Sequence, residues 1–262
     1  MSAIEFTGER LPGGGDAEFA IDMQRHLAAY RYAATLAAGR SVLDAGCGEG
    51  YGTALLAGVA ASVTGIDRPE VAAAAQARYA STGAAFEGVD LDRLAGLERR
   101  FDLVVSFQVI EHVVDPLGYL RALAACTADG GTLLVTTPNR LMTMSENPYH
   151  LREWIAAELL ALAAPVLPGV QVLGMHGSPR VVAYERARGA QVQRILRLDP
   201  LGIRKLLPGV VIERIFPVLA RLVRRRVAGG AGLPTVGPDD FHVGPENMNE
   251  ALDLVLVARI GS

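Results

Sequence analysis

The stretch Ser41-Val-Leu-Asp-Ala-Gly-Cys-Gly-Glu-Gly-Tyr-Gly52 constrains this chain more than any other. Residues 41–45 are short, branched and apolar, the composition of a buried parallel strand. Gly46, Gly48 and Gly50 then crowd a tight turn, and residues 51–60 read as a helix. Strand, glycine turn and helix in succession bring bare backbone against a ligand at the carboxyl end of a first strand. A lone G-x-G-x-G also closes ordinary loops, so its surroundings decide. Asp44 stands at the end of the strand, and a second strand, residues 62–67, ends on Asp67. An acid about 20 residues beyond the first glycine is placed to take the hydroxyls of a ribose.

Two cofactor classes fit that acid. A dinucleotide puts its pyrophosphate at the helix N-terminus, where fixed N–H dipoles favour negative charge. Here Asp44 flanks the turn and Glu49 lies inside it, which is poor company for a pyrophosphate and better company for a cationic or zwitterionic ligand. The run from Val42 to Gly50 resembles motif I (V-L-D-x-G-C-G-x-G) of the class I S-adenosylmethionine (SAM) methyltransferases. That resemblance implies a Rossmann-like α/β fold: a mostly parallel seven-stranded sheet with helices on both faces. It also implies SAM contacts at Asp44, Ala45, Gly46, Gly48, Asp67, Arg68, Asp90, Leu91 and Phe107.

The rest of the chain alternates as such a fold requires. Helix is expected at 70–79, strand at 84–89, strand at 101–107, helix at 116–126 and strand at 132–137, with Asp129-Gly-Gly131 as a turn. A helix at 153–164 should bury Trp154, a sixth strand should follow at 170–174, and residues 252–258 should form the last strand. Ahead of the first strand, residues 17–38 predict a helix closed by Gly39. Its polar groups are either a solvated face or a lid over the cofactor, the latter with Arg31 or Tyr32 near the ligand. Residues 178–250 form an insertion before the last strand, read as a substrate cap or a homo-oligomer contact. It carries expected helices at 180–198 and 210–227, then a Gly/Pro-rich loop at 229–245. The second helix sets Val211, Ile215, Val218, Leu219 and Leu222 opposite Arg221, Arg224, Arg225 and Arg226. Such a helix either packs one face and solvates the other, or docks on a membrane surface.

Length and charge bound the rest. A chain of 262 residues suits one large domain, covering 1–40 as a helical lid, 41–177 and 251–260 as the core, and the insertion. Its 25 Lys+Arg against 28 Asp+Glu leave a net charge of −3, which argues against an extended nucleic-acid partner. No apolar run is long enough to span a membrane and no secretory signal is evident. Cys47 and Cys126 have no metal-type spacing, so two free thiols in a cytoplasmic protein are expected.

Methyl transfer from a sulfonium is an in-line displacement, and an alcohol acceptor must lose its proton as it attacks. Groups able to help follow the fourth and fifth strands: Gln108, Glu111 and His112, then His150. Carboxylate and imidazole together suit either acid–base work or a divalent cation. Glu111-His112 alone can also cap the following segment and touch SAM through backbone only. The E-H pair with Thr137-Pro-Asn139 and a later histidine resembles two groups. One is the plant small-RNA 2′-O-methyltransferases. The other, similar over more of the chain, is the mycobacterial methylmannose-polysaccharide 1-O-methyltransferases, which Thr7-Gly-Glu-Arg10 and the stretch 147–153 also resemble. Those resemblances imply Mg²⁺ held by Glu111, His112 and His150, with Gln108 in place of a first acid. The implied reaction is O-methylation of a saccharide or glycosylated metabolite. Ubiquinone-pathway O-methyltransferases share the E-H segment, so a phenolic acceptor is the alternative within enzymes. A SAM-binding interaction module is the alternative outside them.

Overall fold

The computed structural model describes residues 20–143, 149–196 and 235–261. The Thr7–Arg10 arm, the helix expected at 210–227 and residues 229–234 of the Gly/Pro-rich loop lie outside the described residues. Helix α1 (Ala20–Ala37) leads into β1 (Ser41–Ala45), and Gly39 sits between them at φ 70°, the left-handed conformation that ends a helix cheaply only at glycine. Then follow α2 (Tyr51–Ala57), β2 (Ser62–Asp67), α3 (Pro69–Tyr79), β3 (Ala85–Gly88), β4 (Phe101–Phe107), α4 (Pro116–Cys126) and β5 (Thr127–Pro138). Proline opens both α3 and α4, where its missing N–H costs nothing, and the Asp115 carboxylate caps α4 by accepting from Gly118 N. The chain continues through α5 (Ala156–Ala163), β6 (Gln171–Gly177), α6 (Pro179–Leu196), β7 (Phe241–Gly244) and β8 (Asp253–Arg259).

The strands form one sheet in the order β3-β2-β1-β4-β5-β8-β6-β7. Strands β1 to β5 pair in parallel, and β8 inserts antiparallel between β5 and β6. The strand order reverses between β1 and β4, the point where open α/β sheets take ligands. Two apolar layers cover the faces. Leu43, Ile66, Leu120, Trp154 and Leu256 lie with α4 and α5 on one side, and Val42, Leu56, Tyr30, Leu134 and Val255 lie with α1, α2 and α6 on the other.

Two expectations need correction. The sheet has eight strands, not seven, because β7 pairs antiparallel with β6 inside the stretch read as a helical insertion. Its four residues are too short to show an alternation in sequence. Asp129-Gly-Gly131 is a bulge within β5 rather than a turn before it: the register jumps from Phe101↔Thr127 to Leu103↔Thr132, and Gly130 takes φ 74°. Residues 91–96 form a 3₁₀ turn.

The two ends of the insertion meet at one carboxylate. Asp240 accepts from Ser178 Oγ (2.8 Å), Arg180 Nε (2.5 Å) and Gly237 N (2.9 Å), while its carbonyl accepts from Ser178 N (2.7 Å).

Candidate functional site

At the end of β1 the glycine turn is built by backbone geometry that a side chain would break. Gly46 (φ 84°) donates its N–H to Ile66 O, and a Cβ there would lie 2.5 Å from Val109 Cγ2. Ala45, just before it, is fully buried. Asp67 closes the turn from β2: Oδ2 accepts from Gly48 N (2.9 Å) and Oδ1 from Arg68 N (2.8 Å). Each oxygen keeps a second lone pair for a ligand hydroxyl. Asp90 and Leu91 stand beyond β3, beside Asp67, because Val89 N bonds the Asp67 carbonyl. Phe107 ends β4, buried against the Tyr30 ring at 4.9 Å. These residues therefore line one edge. Arg31 pairs with Asp239 at 2.8 Å, at the foot of the insertion.

Asp44 is fully buried, accepting from Thr53 Oγ1 (2.6 Å) and from the Tyr30 hydroxyl (3.1 and 3.2 Å). Burial pushes its carboxyl up to about 7, the Thr53 and Tyr30 hydrogen bonds oppose this, and nearby Asp67 adds to it. His26, also on α1, meets the Tyr51 hydroxyl through Nδ1, and its ring packs edge-on to Tyr30 and Phe107. Desolvation pushes it down to about 4, so it is neutral. Helix α1 thus packs over the ends of β1 and β4.

The second half of the edge lies beyond β4. Gln108 takes φ 57°, a conformation uncommon outside glycine, and its N–H bonds Thr136 O. The 3₁₀ turn Ile110–His112 follows. Glu111 is 1% exposed; Oε2 accepts from Thr137 Oγ1 (3.0 Å) and its carbonyl accepts from Leu151 N (2.8 Å), which draws the loop after β5 onto the turn after β4. Burial pushes the Glu111 carboxyl up to about 7, against the attraction of His150. Each histidine is oriented through Nδ1: His112 toward the Tyr149 carbonyl (2.9 Å), His150 toward Glu153 Oε1 (2.5 Å). A donor hydrogen on Nδ1 leaves the lone pair on Nε2, the way metal-binding histidines are commonly set.

One ligand atom from each of Glu111, His112 and His150 lies within 4.8 Å of the others, and no other group of three such residues among the described ones meets that spacing. Gln108 precedes the same 3₁₀ turn. Its amide nitrogen reaches Thr136 Oγ1 at 3.4 Å, and Thr136 faces the opposite side of the sheet from Thr137, which holds Glu111.

Sequence reading missed Tyr30 and Thr53 as partners of Asp44, and a buried ionic network beneath the same edge. In that network Arg25 pairs with Asp253 (3.3 Å) and Asp22 (3.5 Å), and Arg188 pairs with Asp22 (3.3 Å) and Glu185 (3.3 Å). The partners come from three distant segments, which no local spacing announces; only Glu153, three residues after His150, carried a readable signal. Five buried side-chain atoms among the described residues have no hydrogen-bond partner: His26 Nε2, Glu111 Oε1, Trp154 Nε1, His176 Nε2 and Asp253 Oδ1. Such an atom costs about 1–3 kcal/mol, so five on one edge call for an explanation.

Comparison with known proteins agrees with this edge. A family described as a methyltransferase domain matches residues 19–168. A Mycolicibacterium smegmatis protein named "Probable S-adenosylmethionine-dependent methyltransferase" is 34% identical over 98% of this chain and 95% of its own length. A ubiquinone biosynthesis O-methyltransferase of Pseudomonas paraeruginosa is 36% identical over 62% of this chain and 68% of its own. A solved SAM-dependent methyltransferase structure from Thermotoga maritima shares the fold with a TM-score of 0.58 at 15% identity, over 97% of both chains. Motif, sheet order and relatives converge: this chain belongs to the S-adenosylmethionine-dependent methyltransferases.

Proposed function

We propose that this enzyme transfers the SAM methyl group to a hydroxyl of a saccharide or glycosylated metabolite, assisted by a divalent cation of the Mg²⁺ type. The observation that carries the reading is the convergence of Glu111, His112 and His150, supplied by two separate loops, beyond the cofactor turn. The donor set fits a cation: one carboxylate, two imidazoles oriented through Nδ1, and a buried Glu111 Oε1 with no partner of its own. A bound divalent cation would supply stabilisation of the negative charge that develops as a hydroxyl ionises.

The chain's own residues do the rest. Asp67 binds the ribose hydroxyls of SAM, and the bare backbone of Gly46 and Gly48 admits its amino-acid end, with Asp44 beneath it. Phe107 and Asp90 bound the cofactor on the β4 and β3 sides. Thr137 orients Glu111, and Glu153 orients His150, so that Oε1 and Nε2 face one acceptor position. Burial of Glu111 and the Trp154 ring keeps bulk water from that position. The insertion, whose feet stand at the same edge, covers and selects the acceptor.

The test is an untargeted mass-spectrometry screen for methylated products with SAM, with and without EDTA. Turnover of a glycoside that EDTA abolishes and Mg²⁺ or Mn²⁺ restores is the expected outcome. Full activity after exhaustive chelation, with His150→Ala inactive, would assign a metal-free histidine base instead. Methylation of phenols alone would favour the second reading, which the ubiquinone-pathway relative supports over part of the chain.

A further inference from the structure

The orphaned polar atoms are not scattered. His26 packs on Phe107 at the end of β4, and Glu111 follows β4 directly. Trp154 bridges Asn139 just past β5, Asp253 faces Pro138 at the end of β5, and His176 lies near the end of β6. All five thus stand at the carboxyl edge, and the amino edge carries none among the described residues. A polar ligand at that edge would supply partners to some of these groups, as ordered water would to others.

Asp253, like His26 and His176, is not used by the proposed chemistry, and it is the carboxylate among them. It opens β8 and is 4% exposed. Arg25 Nε holds its Oδ2 at 3.3 Å, so the carboxyl group is fixed while Oδ1 has no donor. Gln108 lies against the same carboxyl, and Asp253 is close enough for Glu111 to feel its charge. In the sheet it stands two strand spacings from β4, about 10 Å, on the side away from β1 and the cofactor turn. SAM at β1, β2 and β4 would not reach it, whereas an acceptor at Glu111, His112 and His150 would extend toward it. We infer that Asp253 is an acceptor-binding residue whose Oδ1 takes a hydrogen bond from a second hydroxyl of the substrate, and so helps decide which hydroxyl is methylated. This rests on the saccharide reading above. Arg25, tied in turn to Asp22 and through it to Arg188, is the positioning residue that holds Asp253 in place.

The experiment uses the full chain with SAM, Mg²⁺, a panel of methyl hexopyranosides and their monodeoxy analogues. Asp253→Asn should raise the acceptor KM about 10- to 100-fold, the worth of a hydrogen bond to a charged group, with SAM Kd unchanged by calorimetry. One monodeoxy analogue should show the same loss with the unmodified enzyme and no further loss with the variant. If Asp253→Asn does not fold, Arg25→Met combined with Asp253→Leu removes the ion pair as a unit, and the same KM pattern is expected. Equal losses for every analogue, or an unchanged KM in a folded variant, overturns the inference alone. If no hexoside is methylated, the saccharide reading fails and this inference fails with it.

Discussion

Asp44 is a carboxyl group the protein stabilises in the wrong protonation state for its cofactor. With nothing bound, burial pushes it up to about 7, against an ordinary value near 3.8. The folded state therefore holds a proton that the unfolded chain has released between pH ~4 and ~7. Unfolding free energy falls with pH wherever the native state binds more protons, so stability is lost as pH rises through that window and is flat above it. A shift of about three units corresponds to about 4 kcal/mol, an upper figure for a fully buried group. Asp44→Asn removes the titration and keeps the shape. The variant should match the parent protein below about pH 4 and exceed it by up to about 4 kcal/mol at pH 8, read as a change in denaturation midpoint at constant m-value. Cationic SAM reverses the preference, because the sulfonium and ammonium favour the ionised carboxylate. Calorimetry near pH 6.5 in buffers of different ionisation enthalpy should show proton release on SAM binding, absent in the variant. A stability difference between the two proteins that does not change from pH 5 to pH 8 would refute the reasoning.

Asp67→Ala should weaken SAM binding by roughly 2–4 kcal/mol through the loss of two charge-assisted hydrogen bonds, measured by calorimetry on a variant shown to be folded by circular dichroism; unaltered affinity would remove Asp67 from the ribose site. Gly52→Ala places a methyl in a helix, which usually stabilises by up to about 1 kcal/mol. Here its Cβ would lie 2.0–2.3 Å from the Tyr30 ring, so a net loss of about 1–3 kcal/mol is expected, and none when the same change is made in a Tyr30→Leu background, which carries its own cost at Asp44.

What could be read in the sequence was whatever repeats locally. Residues 41–52 show strand, turn and helix within a dozen positions, and β2, β4 and α4 fall on the expected residues because their apolar spacing is unbroken. The three proposed cation ligands were named from two short segments, and the structure brings those segments together through the Glu111 carbonyl and Leu151 N–H. What stayed hidden depends on pairing between remote segments. Strand β7 exists because β6 offers an edge to it, and the same four residues alone carry no strand signature. The bulge at 128–131 is set by the register against β4, where a Gly-Gly pair reads as an ordinary turn. Asp22, Arg25, Arg188 and Asp253 lie up to about 230 positions apart in the chain, and their pairing is a property of how α1, α6 and β8 pack.

Asp240 has an evolutionary reach that its four hydrogen bonds do not suggest. By tying residue 178 to residue 240, it makes the intervening chain an excursion that leaves and rejoins the fold at one knot. Closing such an excursion depends only weakly on its length; doubling it adds about 0.6 kcal/mol. A duplication, deletion or exchange beyond α6 and before Gly237 should therefore leave the glycine turn, the carboxyl edge and the strand order intact, provided α6 keeps Arg188 in its ionic network. Descendants of one methyl-transfer core can trade that segment like interchangeable tooling, acquiring new substrates without rebuilding the machine that holds the cofactor.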